Sequence, residues 1–383
     1  MFIERLAVKG FRSLADVVWE PGKLNVLIGP NGGGKTNLLK VVRLLKASAA
    51  GQLGKFVQRE GGMQVMVWDG SARQIQIECR NRFIEECGTY SLVLLKDPAS
   101  PASYYIEREQ LVASERLSAD TQLLMRNLSG AFVQTDSGER ADIKIQAREG
   151  ETTLWALQGP IGPSALANWF SMNLLLASIH GIVDLRPSRE PRVVAFEETI
   201  DDNGENFIPA LHHAYNSSRD FKRDINLGMS AAFGSEFVEI VFPAAADQRI
   251  QLRVRWKSLE HDPSAASLSD GTLRFMFLVT VLANPKRPEF IAIEEPETGL
   301  HPSMLPIVAD FAAEAAERSQ IVFTTHSPAF LDAIGKHNPT ITVVEARDGK
   351  TQLRNVSGNE LEYWLKRFTL GDIYQSGELE RIG

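Results

Sequence analysis

Residues 24–36 read LNVLIGPNGGGKT, and this stretch decides the fold of the chain. The run from Leu24 to Ile28 is short and nearly all apolar, which is typical of a strand covered on both faces. Residues 29–36 match the pattern G-x-x-x-x-G-K-[ST]. Beyond them, apolar residues recur at helical spacing, at Leu38, Val41, Val42 and Leu45. A buried strand, a glycine-rich turn and a helix in this order predict a phosphate-binding loop.

The residue types in this loop suit phosphate groups. Phosphate oxygens need several backbone N–H groups that point inward, and glycine permits the close approach. The helix that begins near Lys35 adds its positive end. The Lys35 ammonium can reach the outer phosphates, and the Thr36 hydroxyl can bind Mg²⁺. A chance glycine turn is the alternative, and the strand before the loop and the helix after it argue against that interpretation.

A second motif, FIAIEEP, occupies residues 290–296. An apolar strand that ends in Glu294 and Glu295 places both carboxylates at its carboxyl end, where ligands bind in open α/β sheets. One carboxylate can hold the magnesium shell, and the other can polarise a water for in-line attack on a γ-phosphate. Such a pair alone is usually part of a solvated loop, but the phosphate-binding loop favours the catalytic interpretation.

Two further motifs follow the same logic. TTHSP at residues 324–328 comes after a strand, so His326 can contact a γ-phosphate, with a structural histidine as the alternative. SLSDGT at residues 267–272 opens a helix that Ser269 can cap, and the start of that helix can also bind an anion. Because one small site has no need of two phosphate-binding helix ends, we expect the second to face another subunit.

Taken together, the order of the P-loop, LSDG, IEEPE, GLHP and TTHSP resembles the ATP-binding-cassette (ABC) ATPases. More narrowly, it resembles the RecF/SMC-like branch, which includes stand-alone predicted ATPases of bacteria and the ATPase part of overcoming-lysogenization-defect proteins. The opening MFIERLAVKGFRSL is typical of that branch. The resemblance covers residues 1–47 and 265–335. It implies an α/β P-loop NTPase fold, an ABC-ATPase head with a mainly parallel core sheet, an antiparallel β subdomain and a helical insertion.

The resemblance also implies roles, residue by residue. The phosphates of ATP would be wrapped by Asn31, Gly32, Gly33, Gly34, Lys35 and Thr36. Thr36 and Glu294 would hold Mg²⁺, Glu295 would be the catalytic base and His326 the switch histidine.

Further roles concern a second subunit and the remaining motifs. Ser269 and Gly271 would bind the γ-phosphate of the opposite subunit, and Arg12 would contact ATP. Residues 297–301 match the D-loop, with a plain turn as the alternative. Gln110 and Gln158 are the candidates for the Q-loop glutamine. Thr272 stands where transporters usually have Gln, and Glu294 where many relatives have Asp.

The composition sets limits on class and organisation. The chain has 383 residues, and its 41 basic and 48 acidic residues give a formal net charge of −7, which argues against a nucleic-acid binder with a wholly basic surface. Length allows two to three domains. We expect an ATP-binding lobe over 1–115, a largely helical insertion over 116–235 and a C-terminal lobe over 236–383, with the two lobes forming one head. The stretch after His326 is too short for a Toprim nuclease domain, and no coiled-coil arm is expected.

Local patterns add further expectations. Four segments between 63 and 110 (MQVMVW, RQIQIECR, SLVLLK and SYYIER) predict antiparallel hairpins. Residues 271–284 predict a helix buried on nearly every side. The thiols Cys79 and Cys87 lack a histidine cluster, so no zinc site is expected. No run of about 18 apolar residues and no apolar signal core predict a cytoplasmic protein that does not enter the membrane.

Three functional hypotheses remain open from sequence. The first is an ATPase that dimerises around ATP and Mg²⁺ and acts in DNA repair and maintenance or in anti-phage defence. The second is an ATP sensor that gates a separate effector nuclease, and the third is the motor subunit of a transporter. A basic surface for DNA could be built from Arg186, Arg189, Arg192, Lys222, Arg223, Arg253, Arg255 and Lys257, with a solvated mixed-charge face as the alternative.

Overall fold

The computed structural model describes residues 2–83, 86–114, 121–134, 139–143, 150–155, 165–356 and 363–379. These residues form two compact units. The first consists of the described residues up to 177 together with 340–356, and the second of 178–339 together with 363–379. The phosphate-binding loop belongs to the first unit, and the LSDG, IEEPE and TTHSP motifs belong to the second.

An antiparallel sheet of eight strands dominates the first unit. Its strands, in spatial order, are β2 (Leu14–Trp19), β1 (Phe2–Phe11), β4 (Gln74–Phe83), β5 (Glu86–Lys96), β6 (Tyr104–Ser114), β7 (Thr121–Asn127), β8 (Gly130–Gln134) and β9 (Arg140–Ile143). Strands β4, β5 and β6 pair in sequence order, so the hairpins predicted for this region are confirmed. The span 116–235, which was expected to be largely helical, contains strands β7 to β9 as well as the helices α4 to α6, whose bounds are given below.

One predicted strand was wrong. Residues 63–68 (MQVMVW) form the short helix α3 (Met63–Met66) and a 3₁₀ turn rather than a strand. Met63 and Met66 are both buried, while the residues between them are exposed, which is helical spacing and not the alternation of a strand. The Met63 amide donates to the carbonyl of Ala102 at 2.9 Å, which fixes the start of this turn.

A second layer of the first unit carries the phosphate-binding loop. Strand β3 (Leu24–Ile28) is buried along its whole length and runs parallel to β18 (Thr340–Arg347), which pairs antiparallel with β19 (Lys350–Val356). The helices of this unit are α1 (Lys35–Ala49), α2 (Leu53–Arg59), α3 and α4 (Ala165–Leu176). Burial of the apolar face of α1 fixes the helix that follows the loop.

The second unit is built on three parallel strands in the order β10 (Ser178–His180), β16 (Phe290–Glu294) and β17 (Gln320–Thr324). Its helices include α5 (Phe207–Ser217), α6 (Arg219–Phe233), α7 (Asp270–Ala283), α8 (Leu305–Ala315), α9 (Pro328–Gly335) and α10 (Leu370–Gln375). Short antiparallel ladders join β11 (Arg192–Val193), β14 (Arg249–Ile250) and β13 (Ala244–Ala245), and pair β12 (Phe237–Val241) with β15 (Arg253–Trp256).

Helix α7 confirms the prediction of a buried helix, because every residue from Thr272 to Leu282 is buried. Such burial fixes the start of α7, which carries the LSDG motif, against the rest of the unit. In the part of the chain that the structure describes, no helix combines the length and apolar character needed to cross a membrane.

Candidate nucleotide-binding site

Close backbone packing shapes the phosphate-binding loop. The loop leaves the carboxyl end of β3, where Ile28 lies opposite Val343 of β18. Gly29 has φ 137°, and a Cβ atom there would lie 2.0 Å from the carbonyl oxygen of Val344. Gly34 has φ 115°, and its Cβ would lie 2.1 Å from the Thr351 hydroxyl oxygen. The glycines are therefore required where the loop crosses β18 and β19.

The loop presents one side to solvent. Asn31, Gly32 and Thr36 are exposed, whereas Gly33 and Gly34 are buried. Helix α1 begins at Lys35, and its N-cap residue, Gly34, has no side chain that could cap this start. Backbone amides at the start of a helix carry partial positive charge and bind anions. The exposed side of this loop is therefore a suitable surface for phosphates.

Lys35 lies inside the curve of the loop. Its ammonium donates hydrogen bonds to the carbonyl oxygens of Gly29, at 2.7 Å, and of Pro30, at 3.1 Å. The side chain is only 7% exposed. These two carbonyls hold the positive charge among the backbone amides that would contact a phosphate.

Arg12 lies in the turn between β1 and β2, with φ 48°. Its guanidinium donates to the Glu60 carboxylate at 2.5 Å, and the Lys40 ammonium of α1 donates to the same oxygen at 2.7 Å. Two cations therefore share one half-buried carboxylate beside α1. The structure gives Arg12 an ion pair, and its contact with ATP stays a prediction.

In the second unit, the carboxyl ends of β16 and β17 gather the acidic residues. Glu294 ends β16 opposite Thr324 of β17. Glu295 has φ 47°, a left-handed conformation that is unusual for a side chain with a Cβ, and its amide donates to the Thr324 carbonyl at 2.9 Å. Both carboxylates are half-buried, and His326 follows β17 two residues after Thr324. The structure therefore brings Glu294, Glu295 and His326 to the same edge of this unit's sheet.

Glu297 ties this edge together, a role that the sequence did not reveal. One of its carboxylate oxygens accepts the Thr325 hydroxyl at 2.6 Å and the His326 amide at 3.2 Å. Arg274 of α7 is only 7% exposed; burial lowers the pKa of its guanidinium, and attraction to Glu297 partly offsets that. Glu297 is the third acidic residue of the sequence EEPE, which was the one sign of its role, but its partner Thr325 lies 28 residues away in sequence.

The LSDG motif begins α7. The Ser269 hydroxyl accepts the Thr272 amide at 3.1 Å, so the serine caps the helix while remaining exposed. A Cβ atom at Gly271 would lie 2.7 Å from the carbonyl oxygen of Gly299, in the turn after β16. The glycine therefore lets the start of α7 pack directly on that turn.

Arg189 fixes the loop that leads into α7. Its guanidinium donates to the carbonyl oxygens of Ala265 and Ala266, each at 3.0 Å, and of Leu268, at 2.7 Å. It also donates to the Asp270 carboxylate at 2.5 Å. Sequence placed Arg189 among the residues that could contact DNA, whereas these bonds turn its charge toward the chain itself.

Most of the other basic candidates also have partners within the chain. Arg186 pairs with Asp184, Arg192 with the Glu205 carbonyl, Arg223 with Asp220 and Asp224, Arg253 with Gln251 and the Asp262 carbonyl, and Arg255 with Glu239 and Asp262. Lys222 lies over the Tyr215 ring at 4.8 Å. These contacts favour a mixed-charge face over a basic groove. Of the two Q-loop candidates, Gln110 lies within β6, and Gln158 lies outside the described residues.

The fold and these motifs define a class: an ABC-type P-loop ATPase head of the RecF/SMC-like kind. The model of one family, described as "AAA domain, putative AbiEii toxin, Type IV TA system", matches residues 24–85 and 183–332, more than half of the chain. The chain belongs to this family.

Curated relatives share parts of the chain. The DNA replication and repair protein RecF of Moorella thermoacetica is 25% identical over 194 residues, which are 41% of this chain and 49% of that protein. The OLD nuclease of Thermus scotoductus is 22% identical over an alignment 397 positions long, which covers 99% of this chain and 69% of that protein. The chain thus spans about half the length of the RecF protein that it matches.

Solved structures show the same fold. An SMC head bound to the C-winged helix domain of ScpA matches with a TM-score of 0.58 at 16% identity, covering 95% of this chain and 100% of that one. An SMC head with an extended coiled coil, bound to the C-terminal domain of ScpA derived from Pyrococcus furiosus, matches with a TM-score of 0.50 at 14% identity, covering 95% and 98%.

Proposed function

We propose that this ATPase binds ATP with Mg²⁺ through the loop Gly29–Thr36. The observation that carries the proposal is the glycine-rich turn at the start of α1, whose carbonyls hold the Lys35 ammonium inside its curve. The amides of Asn31 to Gly34 would wrap the phosphates, and Lys35 would bind the β- and γ-phosphates. Arg12 is a further candidate for contact with the nucleotide.

The donor atoms present suit Mg²⁺. The sequence motifs make Thr36 and Glu294 the candidates to hold the ion, because Mg²⁺ prefers oxygen ligands such as hydroxyl and carboxylate groups, completed by phosphate oxygens. A bound Mg²⁺ would neutralise negative charge that develops on the γ-phosphate. Glu295 would accept a proton from the attacking water, and His326 would contact the γ-phosphate.

A lysine substitution tests nucleotide binding. We expect Lys35→Ala to weaken binding of a fluorescent ATP analogue at least tenfold, because the ammonium is removed from the loop. Lys46→Ala, in the last turn of the same helix, is the matched control and should bind as the unaltered protein does. Equal binding by both variants and the unaltered protein would contradict the proposal.

We also propose that two copies associate head to head around ATP. The support is a second helix start, at Ser269 and Gly271 of α7, where Ser269 is exposed and the neighbouring carboxylate, Asp270, is neutralised by Arg189. ATP-dependent closure of this kind turns contacts with one phosphate into a change of the whole assembly.

Association is tested by light scattering after gel filtration of the Glu295→Gln variant, which would retain ATP. We expect a dimer with ATP and Mg²⁺ and a monomer with ADP. A variant that binds ATP and stays monomeric at saturation would rule out the head-to-head arrangement.

For the biological role, we propose DNA repair and maintenance or anti-phage defence. The first is supported by the RecF relatives, whose names specify DNA replication and repair. The second is supported by the OLD nuclease relative and by the family description, which names a putative toxin. Salt-dependent retention of DNA on a filter, with and without ATP, tests a direct role on DNA, and no retention in either condition would remove it.

A second candidate is an ATP sensor that gates a separate effector nuclease. The arginines that could have contacted DNA are mostly bonded within the chain, which favours action through a partner protein. Steady-state phosphate release distinguishes the two roles. Equal, very slow rates for the unaltered protein and for Glu295→Gln would support the sensor, whereas a large difference would support hydrolysis-driven cycling.

A further inference from the structure

Beneath the phosphate-binding loop, polar groups from three distant segments form one continuous chain of hydrogen bonds. Thr351 of β19 lies 2.8 Å from the carbonyl oxygen of Gly33 and 2.7 Å from the hydroxyl of Ser13, in the turn between β1 and β2. The side-chain amide of Asn37, in α1, donates to the Ser13 hydroxyl at 2.8 Å. All four residues belong to the first unit, and Ser13 and Thr351 are 338 residues apart in sequence.

The chemistry of the groups fixes the direction of this chain. The Gly33 carbonyl can only accept, so it receives the hydroxyl proton of Thr351. The same hydroxyl is also the donor to the Ser13 oxygen, so the two acceptors share that proton, and the Ser13 oxygen accepts from Asn37 as well. The backbone amide of Thr351 also donates to the Ser13 carbonyl at 2.8 Å, which keeps the two residues together.

The bond to the Gly33 carbonyl orients the peptide that joins Gly33 to Gly34. In a trans peptide the carbonyl and the following N–H point in opposite directions. Because the Gly33 carbonyl is directed to Thr351, the Gly34 N–H points away from β19. Two successive glycines place little steric limit on rotation of this peptide, so a buried hydroxyl supplies the restriction that side chains would otherwise give.

Thr351 is well placed for this task. It is only 2% exposed, so its hydroxyl does not exchange its partner for bulk water. Its oxygen lies so close to Gly34 that no side chain could be accommodated there. The threonine thus selects both the residue at position 34 and the orientation of its amide.

We propose that Thr351 is a positioning residue for the phosphates of ATP, acting through the Gly33–Gly34 peptide and supported by Ser13 and Asn37. The inference rests on the proposed nucleotide site. Without the hydroxyl, part of the population would hold the peptide in other orientations, and apparent affinity falls in proportion to the competent fraction. We therefore expect Thr351→Val to weaken ATP binding by about tenfold.

The experiment compares three variants of the full chain. Thr351→Val keeps the shape of the side chain and removes the hydroxyl, whereas Thr351→Ser retains the hydroxyl. Thr342→Val removes another buried hydroxyl of the same unit, which donates to Asn355 at 2.7 Å and not to the loop. Dissociation constants for a fluorescent ATP analogue with Mg²⁺, KM and kcat, and the midpoint of thermal unfolding are measured for each.

We expect Thr351→Val to raise KM more than it lowers kcat, since ground state and transition state both lose an oriented amide. Thr351→Ser should stay within about twofold of the unaltered protein. Thr342→Val should bind ATP normally even if it unfolds at a lower temperature.

Normal ATP binding by Thr351→Val would overturn this inference and leave the proposed function standing. An equal loss of ATP binding in Thr342→Val would do the same, because it would indicate a general effect on stability. Failure of the unaltered chain to bind ATP would instead overturn the proposed function and this inference with it.

Discussion

Replacement of Arg189 by alanine gives the most direct test of how the LSDG motif is held. Truncation removes donors from three carbonyls and from the Asp270 carboxylate. The Asp270 side chain is 91% exposed and Ala266 is exposed, so water replaces those two bonds at little cost. The Ala265 carbonyl keeps the Leu268 amide as a donor at 3.3 Å, whereas the Leu268 carbonyl belongs to a buried residue and costs about 1 kcal/mol when it loses the guanidinium. We therefore expect the unfolding free energy to fall by about 1 kcal/mol.

The assay is urea unfolding followed by fluorescence, with Arg186→Ala as the matched control. Arg186 comes from the same stretch, but it is exposed, and among the described residues its side chain bonds only the exposed Asp184, so its removal should leave stability unchanged. In the Glu295→Gln background, Arg189→Ala should also weaken ATP-dependent association, because the start of α7 is no longer fixed. A stability within error of the unaltered protein, or an equal loss in Arg186→Ala, would refute the reasoning.

Three more outcomes are expected. Glu295→Gln should bind ATP normally while phosphate release falls at least a hundredfold, since the proton acceptor is lost; a rate near that of the unaltered protein would argue against its role. Gly34→Ala should lower the unfolding free energy by several kcal/mol and abolish ATP binding, because the added Cβ would meet the Thr351 hydroxyl. Gly32→Ala has open space around it and should cost only about 1 kcal/mol, from its φ of 80° alone. Urea unfolding measures both losses, and similar losses in the two variants would count against this reasoning. Glu109 is a fully buried residue of β6, and its burial raises the pKa of its carboxyl group, so folding favours the protonated form. The stability that this group contributes at low pH should be lost as the pH rises above the ordinary carboxyl range, and urea unfolding across pH should show a flatter trend in Glu109→Gln.

Local patterns carried much of the fold. The run from Leu24 to Ile28, the glycine loop and the apolar face of α1 are adjacent in sequence, so their periodicity was sufficient to predict strand, turn and helix. The same holds for α7, whose burial follows from its apolar composition. The segment 63–68 is too short for the alternation of a strand to be distinguished from helical spacing, and in the structure it forms a helical turn.

The contacts between distant residues could not be predicted in the same way. Charge pattern placed Arg189 on a solvated or DNA-contacting face, because a sequence does not show which carbonyls a guanidinium will reach after folding. No sequence pattern pointed to Thr351, because it lies near the start of a strand that follows an ordinary turn, and its partners lie more than 300 residues earlier. Positioning residues of this kind become visible only when tertiary structure brings the segments together.

The contact between Gly271 and Gly299 has a mechanical consequence. The start of α7 and the turn after β16 touch through main chain alone, and no deformable side chain separates them. Tightly packed atoms transmit small displacements instead of absorbing them. A shift of a few tenths of an ångström in the turn that follows the carboxylates would therefore be transmitted to the first amides of α7.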